Sequence, residues 1–150
     1  MSWNTGLARI GAAFYVLWGL VHYNAAYGVY QLAQSTSLTI EHGGLQQLAF
    51  YLTSFATAGI VLATLNWRNS RPGFWSNALV VGIGDIPFIL FVLVPGYVPV
   101  WPAILGPVLW IAALACTAIA QVPIFDALGG AKLARRQTPI GAVSESGGIA

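Results

Sequence analysis

Between residues 80 and 96 the chain reads VVGIGDIPFILFVLVPG. This apolar run carries one carboxylate, Asp85, with Pro87 two residues on. A charged side chain at the middle of a membrane span costs roughly 2.5–3.5 kcal/mol on insertion scales, and intramembrane acids tend to mark function. The rest of the chain argues for the same solvent. Of its 150 residues 57% are hydrophobic and 7% charged, against about 25% charged in ordinary soluble domains. So few charges do not cover the surface of a soluble domain this size. Lipid is the expected surrounding.

Four apolar segments, residues 7–30, 45–65, 74–94 and 100–122, each approach the ~20 residues that cross a ~30 Å hydrocarbon core. The expected fold is an all-α integral membrane four-helix bundle. The first segment imitates a signal peptide, with Asn24-Ala25-Ala26 as a passable cleavage site, but three more spans follow and it is read as retained. Residues 35–44 form a polar connection. In NWRNSRPG, residues 66–73, Pro72 and Gly73 are expected to stop one helix before the next begins. Residues 95–99 make a short link that forces the last two spans to be antiparallel. Pro102 suits a first turn, and Gly106-Pro107 predicts a kink a turn further in. Residues 124–136 read as a basic interfacial segment, and the Gly- and Ser-rich 137–150 as a disordered tail.

Basic residues in short loops mark the cytoplasmic side. Arg9, the pair Arg68 and Arg71, and the group Lys132, Arg135 and Arg136 all fall on one face of a four-span layout. Both termini are therefore expected in the cytoplasm, and the plasma (inner) membrane is the expected location. Six basic residues make no phosphate-tracking stripe, so nucleic acid is not an expected partner.

Depth follows from a rise of about 1.5 Å per residue. Asp85 lies near the bilayer centre, His22 somewhat toward the outer face, and Asn24 further out. On the second span Gln47, Tyr51 and Ser54 share a face. On the fourth, Trp110 is the bulky group nearest the centre. In lipid such polar groups turn inward and find one another. The expectation is a pocket with Asp85 at its floor and His22, Asn24, Gln47, Tyr51 and Ser54 on its walls, flanked by Trp18 and Trp110. Tyr23, Tyr27, Tyr30 and Trp101 frame its mouth or form an interface belt. Asp85 is then a proton donor, counter-ion or ligand anchor, with His22 the second catalytic candidate; the competing reading is a helix-pairing acid bonded to another helix, His22 being one candidate partner, and contact between the two is left open. Pro87 frees the carbonyl of Ile83.

Other features read as structural. Cys116 is a buried small hydrophobe, and Glu41 favours the start of the second helix. Glu41-His42 makes no metal site, and no cofactor is expected. Gly11 with Gly19, Ala78 with Gly82, and Ala112 with Cys116 and Ala120 let helices approach closely or pair two copies. The layout resembles that of several families of small four-helix membrane proteins, among them the sterol-isomerase group. Members of that group use more than one intramembrane acid, where this chain has Asp85, and no motif matches residue by residue. Two functions are expected. One is binding of a hydrophobic small molecule around Asp85, with acid-catalysed isomerisation or cyclisation beside Trp18, Tyr51 and Trp110. The other is a non-catalytic accessory or structural subunit of a membrane complex.

Overall fold

The computed structural model describes residues 3–122, and every regular element among them is helical. In order these are α1 (Trp3–Ser35), α2 (Ile40–Trp67), α3 (Arg71–Phe88), α4 (Val100–Ala103) and α5 (Leu105–Ala120). A π-helical turn, Ile89–Leu93, continues α3. The segments 124–136 and 137–150, read above as interfacial and disordered, lie outside the described residues.

Local chemistry explains where the helices begin and break. Thr39 is extended at the N-cap of α2, and Glu41 occupies its first turn, where the helix dipole favours a carboxylate. His42 Nδ1 meets the Ala33 carbonyl at 2.7 Å and ties the start of α2 to the end of α1. Residues 40–44, expected as loop, are therefore helix. The dipole contact and the tie to α1 together outweigh Gly43 and Gly44, each of which costs about 1 kcal/mol in a helix. At the next junction Asn69 takes a left-handed φ of 53°, and Ser70 Oγ accepts from the Gly73 N–H at 3.2 Å. Pro72 and Gly73 start α3 rather than stop α2, because a first-turn proline lacks an N–H that has no helical partner anyway.

The last expected span is divided. Trp101 is non-helical at φ −102°, ψ 129°, and the continuous helix begins only at Leu105. Pro107 offers no N–H to the Ala103 carbonyl, so the break falls at Ile104, ahead of the Gly106-Pro107 pair where a kink was expected. The helix around Asp85 is irregular at its far end. Val94 N–H bonds to the Ile89 carbonyl at 2.9 Å and Tyr97 N–H to the Val92 carbonyl at 3.1 Å. These wider turns follow Pro87, and π-helical turns often sit at functional sites.

Neighbouring helices run antiparallel. α1 packs along α2 and α5, while α3 packs on α2 and more sparsely on α5. Gly19 lies against Ile60, and Gly11 against Thr117. The buried Asn77 amide donates to the Gly59 carbonyl at 3.3 Å. The seams are lined by small residues: Ala8, Ala12, Ala26, Ala33, Ala49, Ala56, Ala63, Ala113 and Ala120 are all buried. Larger apolar residues point outward, Phe91 at 70% exposure and Phe50 at 68%. α2 and the stretch Arg71–Leu93 are each long and apolar enough to cross a membrane, and only 22% of each apolar window is buried. α5 is apolar but shorter, at 16 residues.

The seam between α2 and α3 sets a test. A Cβ at Gly73 falls 2.5 Å from Leu65 Cβ and 2.9 Å from the Leu65 carbonyl carbon, whereas one at Gly43 meets nothing within 4 Å. Gly73→Ala is expected to destabilise the fold by about 1–3 kcal/mol through overpacking against main chain. Gly43→Ala should be neutral or stabilising. Unfolding followed by far-UV circular dichroism in detergent compares the two.

Candidate functional site

The candidate site is built where α1 faces α3. Trp18 and His22 are four residues apart on α1, so their side chains leave the same face one turn apart. Their rings stack with centroids 3.9 Å apart. On α3 the residues at a spacing of four, Asn77, Val81 and Asp85, are all buried and make the inward stripe. Asp85 is wholly enclosed, at 0% exposure.

The carboxylate has two neighbours. Trp18 Nε1 donates to its Oδ2 at 2.8 Å, and His22 Nε2 lies 3.3 Å from its Oδ1. The other imidazole nitrogen, Nδ1, is 3.0 Å from the Trp18 carbonyl oxygen. A carbonyl only accepts, so Nδ1 carries hydrogen. Nε2 and Oδ1 are in contact, but no hydrogen bond joins them, and Oδ1 is left without a hydrogen-bond partner among the described residues.

Space for these rings comes from glycine. A Cβ on Gly59 falls 3.0 Å from Trp18 Cζ3, one on Gly106 falls 2.8 Å from His22 Cε1, and one on Gly82 falls 3.2 Å from Trp110 Cζ2. Gly106, expected only as part of a kink, is thus where α5 makes room for His22. Trp110 packs against α3 within a turn of Asp85, and its Nε1 is buried with no hydrogen-bond partner among the described residues. The second carboxylate oxygen, Oδ1, has the His22 contact alone.

The structure brings together Asp85, His22 and Trp18, with Trp110 nearby, and it separates the remaining expected wall residues from them. Asn24 is exposed on α1. Gln47, Tyr51 and Ser54 share a face as expected, but that face of α2 points outward. Gln47 Nε2 donates to the Tyr51 hydroxyl, and Ser54 Oγ donates to its own helix at the Phe50 carbonyl, 2.9 Å away. The correction has a plain cause. The face of α2 with Ala49, Ala56 and Ala63 goes against α1, because only small residues allow so close an approach, and the polar face is rotated out. The tyrosines form no mouth over Asp85 either. Tyr23, Tyr27 and Tyr30 line a separate groove of about 420 Å³ on the α1–α2 seam, with Phe50 and Thr53 opposite. Tyr23 and Thr57 share a hydrogen bond of 2.8 Å there.

Asn77 and Gly59 were not anticipated. Asn77 stands two turns before Asp85 on the same stripe, and that spacing was the available signal. Among the described residues no three His, Cys, Asp or Glu side chains gather at one point. No protein-family model, curated protein or solved structure matches this chain.

Two substitutions probe the cluster. Trp18→Phe keeps an aromatic ring, though a smaller one, and removes the donor, leaving Asp85 Oδ2 unsatisfied. A loss of about 1–3 kcal/mol is expected, the desolvation cost of an orphaned buried polar group. Gly106→Ala should push His22 off Asp85 and be read as a changed His22 side-chain resonance in nuclear magnetic resonance spectra. A resonance unmoved by Gly106→Ala would contradict the packing described.

Proposed function

We propose that the protein is an integral membrane four-helix bundle with both termini in the cytoplasm, set in a plasma (inner) membrane. Within it, Asp85 and His22 form a proton-holding centre for a hydrophobic small molecule. The apolar outward faces and the interior of small residues support the membrane reading. Arg9 lies 5.3 Å from the Trp67 ring, which puts it at the same end as Arg68 and Arg71. That grouping supports the orientation.

The observation that carries the functional reading is the enclosed Asp85 with His22 Nε2 3.3 Å from its Oδ1. Polar bonds between membrane helices average about 0.6 kcal/mol in some measurements, so stability alone is a weak reason for a buried acid. Chemistry suited to such a centre is acid-catalysed isomerisation or cyclisation. The pair delivers a proton to one carbon of a double bond and recovers a proton from another, so no further reactant is consumed. Trp18 and Trp110 supply aromatic faces able to stabilise a cationic intermediate. Tyr51 faces outward and has no part in this scheme. Access requires α3 to move away from α1. Pro87, the π-helical turn and the sparse contact with α5 make α3 the element best suited to that motion.

A second reading has its own observation. The glycines at 59, 82 and 106 close the packing around the rings, as expected of a cluster that only locks α1 to α3 in an accessory or structural subunit. Native mass spectrometry of gently extracted protein separates the two. Asp85→Asn keeps an acceptor for Trp18 but removes the acid. The functional reading expects a bound small molecule on the wild type that is lost or at least tenfold depleted in Asp85→Asn, with the fold retained. A wild type that arrives bare with a second polypeptide, and loses that partner in Asp85→Leu, supports the accessory reading instead.

A further inference from the structure

A second groove, of about 340 Å³, runs along the α1–α2 seam at the end where Arg9 and Arg68 lie. Ala13 and Val16 form one wall, Ile60 and Thr64 the other, and Trp67 and Arg68 close the end. Thr64 donates its hydroxyl to the Val61 carbonyl at 2.7 Å, so the walls offer no free polar group. From Ile60 to Arg68 the helix rises about 12 Å. The groove is thus apolar along its length and cationic at one end only.

Arg68 is exposed and Arg71 is exposed at the start of α3, and neither has an ion-pair partner among the described residues. The two carboxylates among the described residues are elsewhere: Glu41 at the opposite end of α2, and Asp85 enclosed beside His22. An elongated apolar slot ending in a guanidinium is complementary to an amphiphile with an anionic head. Arginine binds phosphate through a planar fork of donors, and basic residues beside a membrane attract anionic lipids.

We propose that this groove seats one anionic phospholipid of the cytoplasmic leaflet, with an acyl chain between Ala13 and Ile60 and its phosphate on Arg68. A zwitterionic lipid fits less well, since its own cation opposes the arginines. The proposal rests on the membrane reading above, and the test keeps the two apart.

The full chain, extracted in a mild detergent, is offered equal amounts of phosphatidylglycerol and phosphatidylcholine with the same acyl chains. Native mass spectrometry counts the adducts that survive. Phosphatidylglycerol should be retained preferentially, and Arg68→Gln should reduce that preference about fivefold, the effect of one basic residue near the surface. Ala13→Trp, which fills the slot, should lower retention of both lipids while helicity by circular dichroism is unchanged. Equal retention of the two lipids, or a preference untouched by both variants, overturns the proposal. So does displacement of the lipid by inorganic phosphate, which would make Arg68 a simple anion site. Release of the chain from membranes by alkaline carbonate refutes the membrane reading itself. A chain that resists carbonate but shows no lipid preference refutes only the seat.

Discussion

The hydrogen bond from Trp18 to Asp85 is the contact around which the interior is arranged. A carboxylate with no access to solvent needs donors, and in this interior they must come from another helix. Trp18 supplies one at 2.8 Å, and His22, a turn later, supplies the second contact at 3.3 Å. Two large rings on adjacent turns need space, and Gly59 on α2 and Gly106 on α5 provide it. One acid on α3 thus constrains residues on the three other long helices. The same demand explains why α1, which packs mainly on α2 and α5, still reaches across to α3.

The distribution of side-chain size follows a second rule. Alanine and glycine line the seams, and most large aliphatic and aromatic residues face out. Close approach of small residues gains dispersion contacts between helices without expelling water from large apolar faces, which is how helices associate in lipid. In water the same outward faces would be a large exposed apolar surface, which soluble monomers rarely show. The buried polar groups fit this pattern. Asn77 donates across the α2–α3 seam to Gly59, and Thr117 donates to the Ala113 carbonyl at 2.8 Å. Each uses a backbone carbonyl as its partner in an interior that offers few side-chain acceptors.

The irregular backbone is concentrated beyond Asp85 and on the element facing it. Pro87 and the π-helical turn follow the acid on α3, while the division between α4 and α5 lies just ahead of Gly106, where α5 meets His22. Regular helix on α1 holds two members of the cluster, Trp18 and His22, and regular helix on α2 holds the glycine cradle at Gly59. The third, Asp85, sits on the helix with the fewest neighbours. Any motion that opens the cluster is therefore expected in α3 rather than in the α1–α2 pair.

What the sequence determined by itself was composition-driven: an all-helical chain with one acid, Asp85, inside an apolar run. His22, read as somewhat nearer the outer face, was one candidate partner among several, and only the folded helices put it beside the acid. Trp18 was read as an aromatic wall of the pocket, but that its indole N–H points at a carboxylate oxygen was not legible. The sequence misplaced the start of α2, where His42 and a helix dipole override two glycines, and it placed the kink of the last helix a few residues late. Only tertiary structure decided which face of α2 turned inward. Gln47, Tyr51 and Ser54 made as consistent a stripe as Ala49, Ala56 and Ala63, and either was eligible for the seam. Steric fit against α1 chose the alanines, because two helix backbones approach closely only across small side chains, and the polar stripe was left outside.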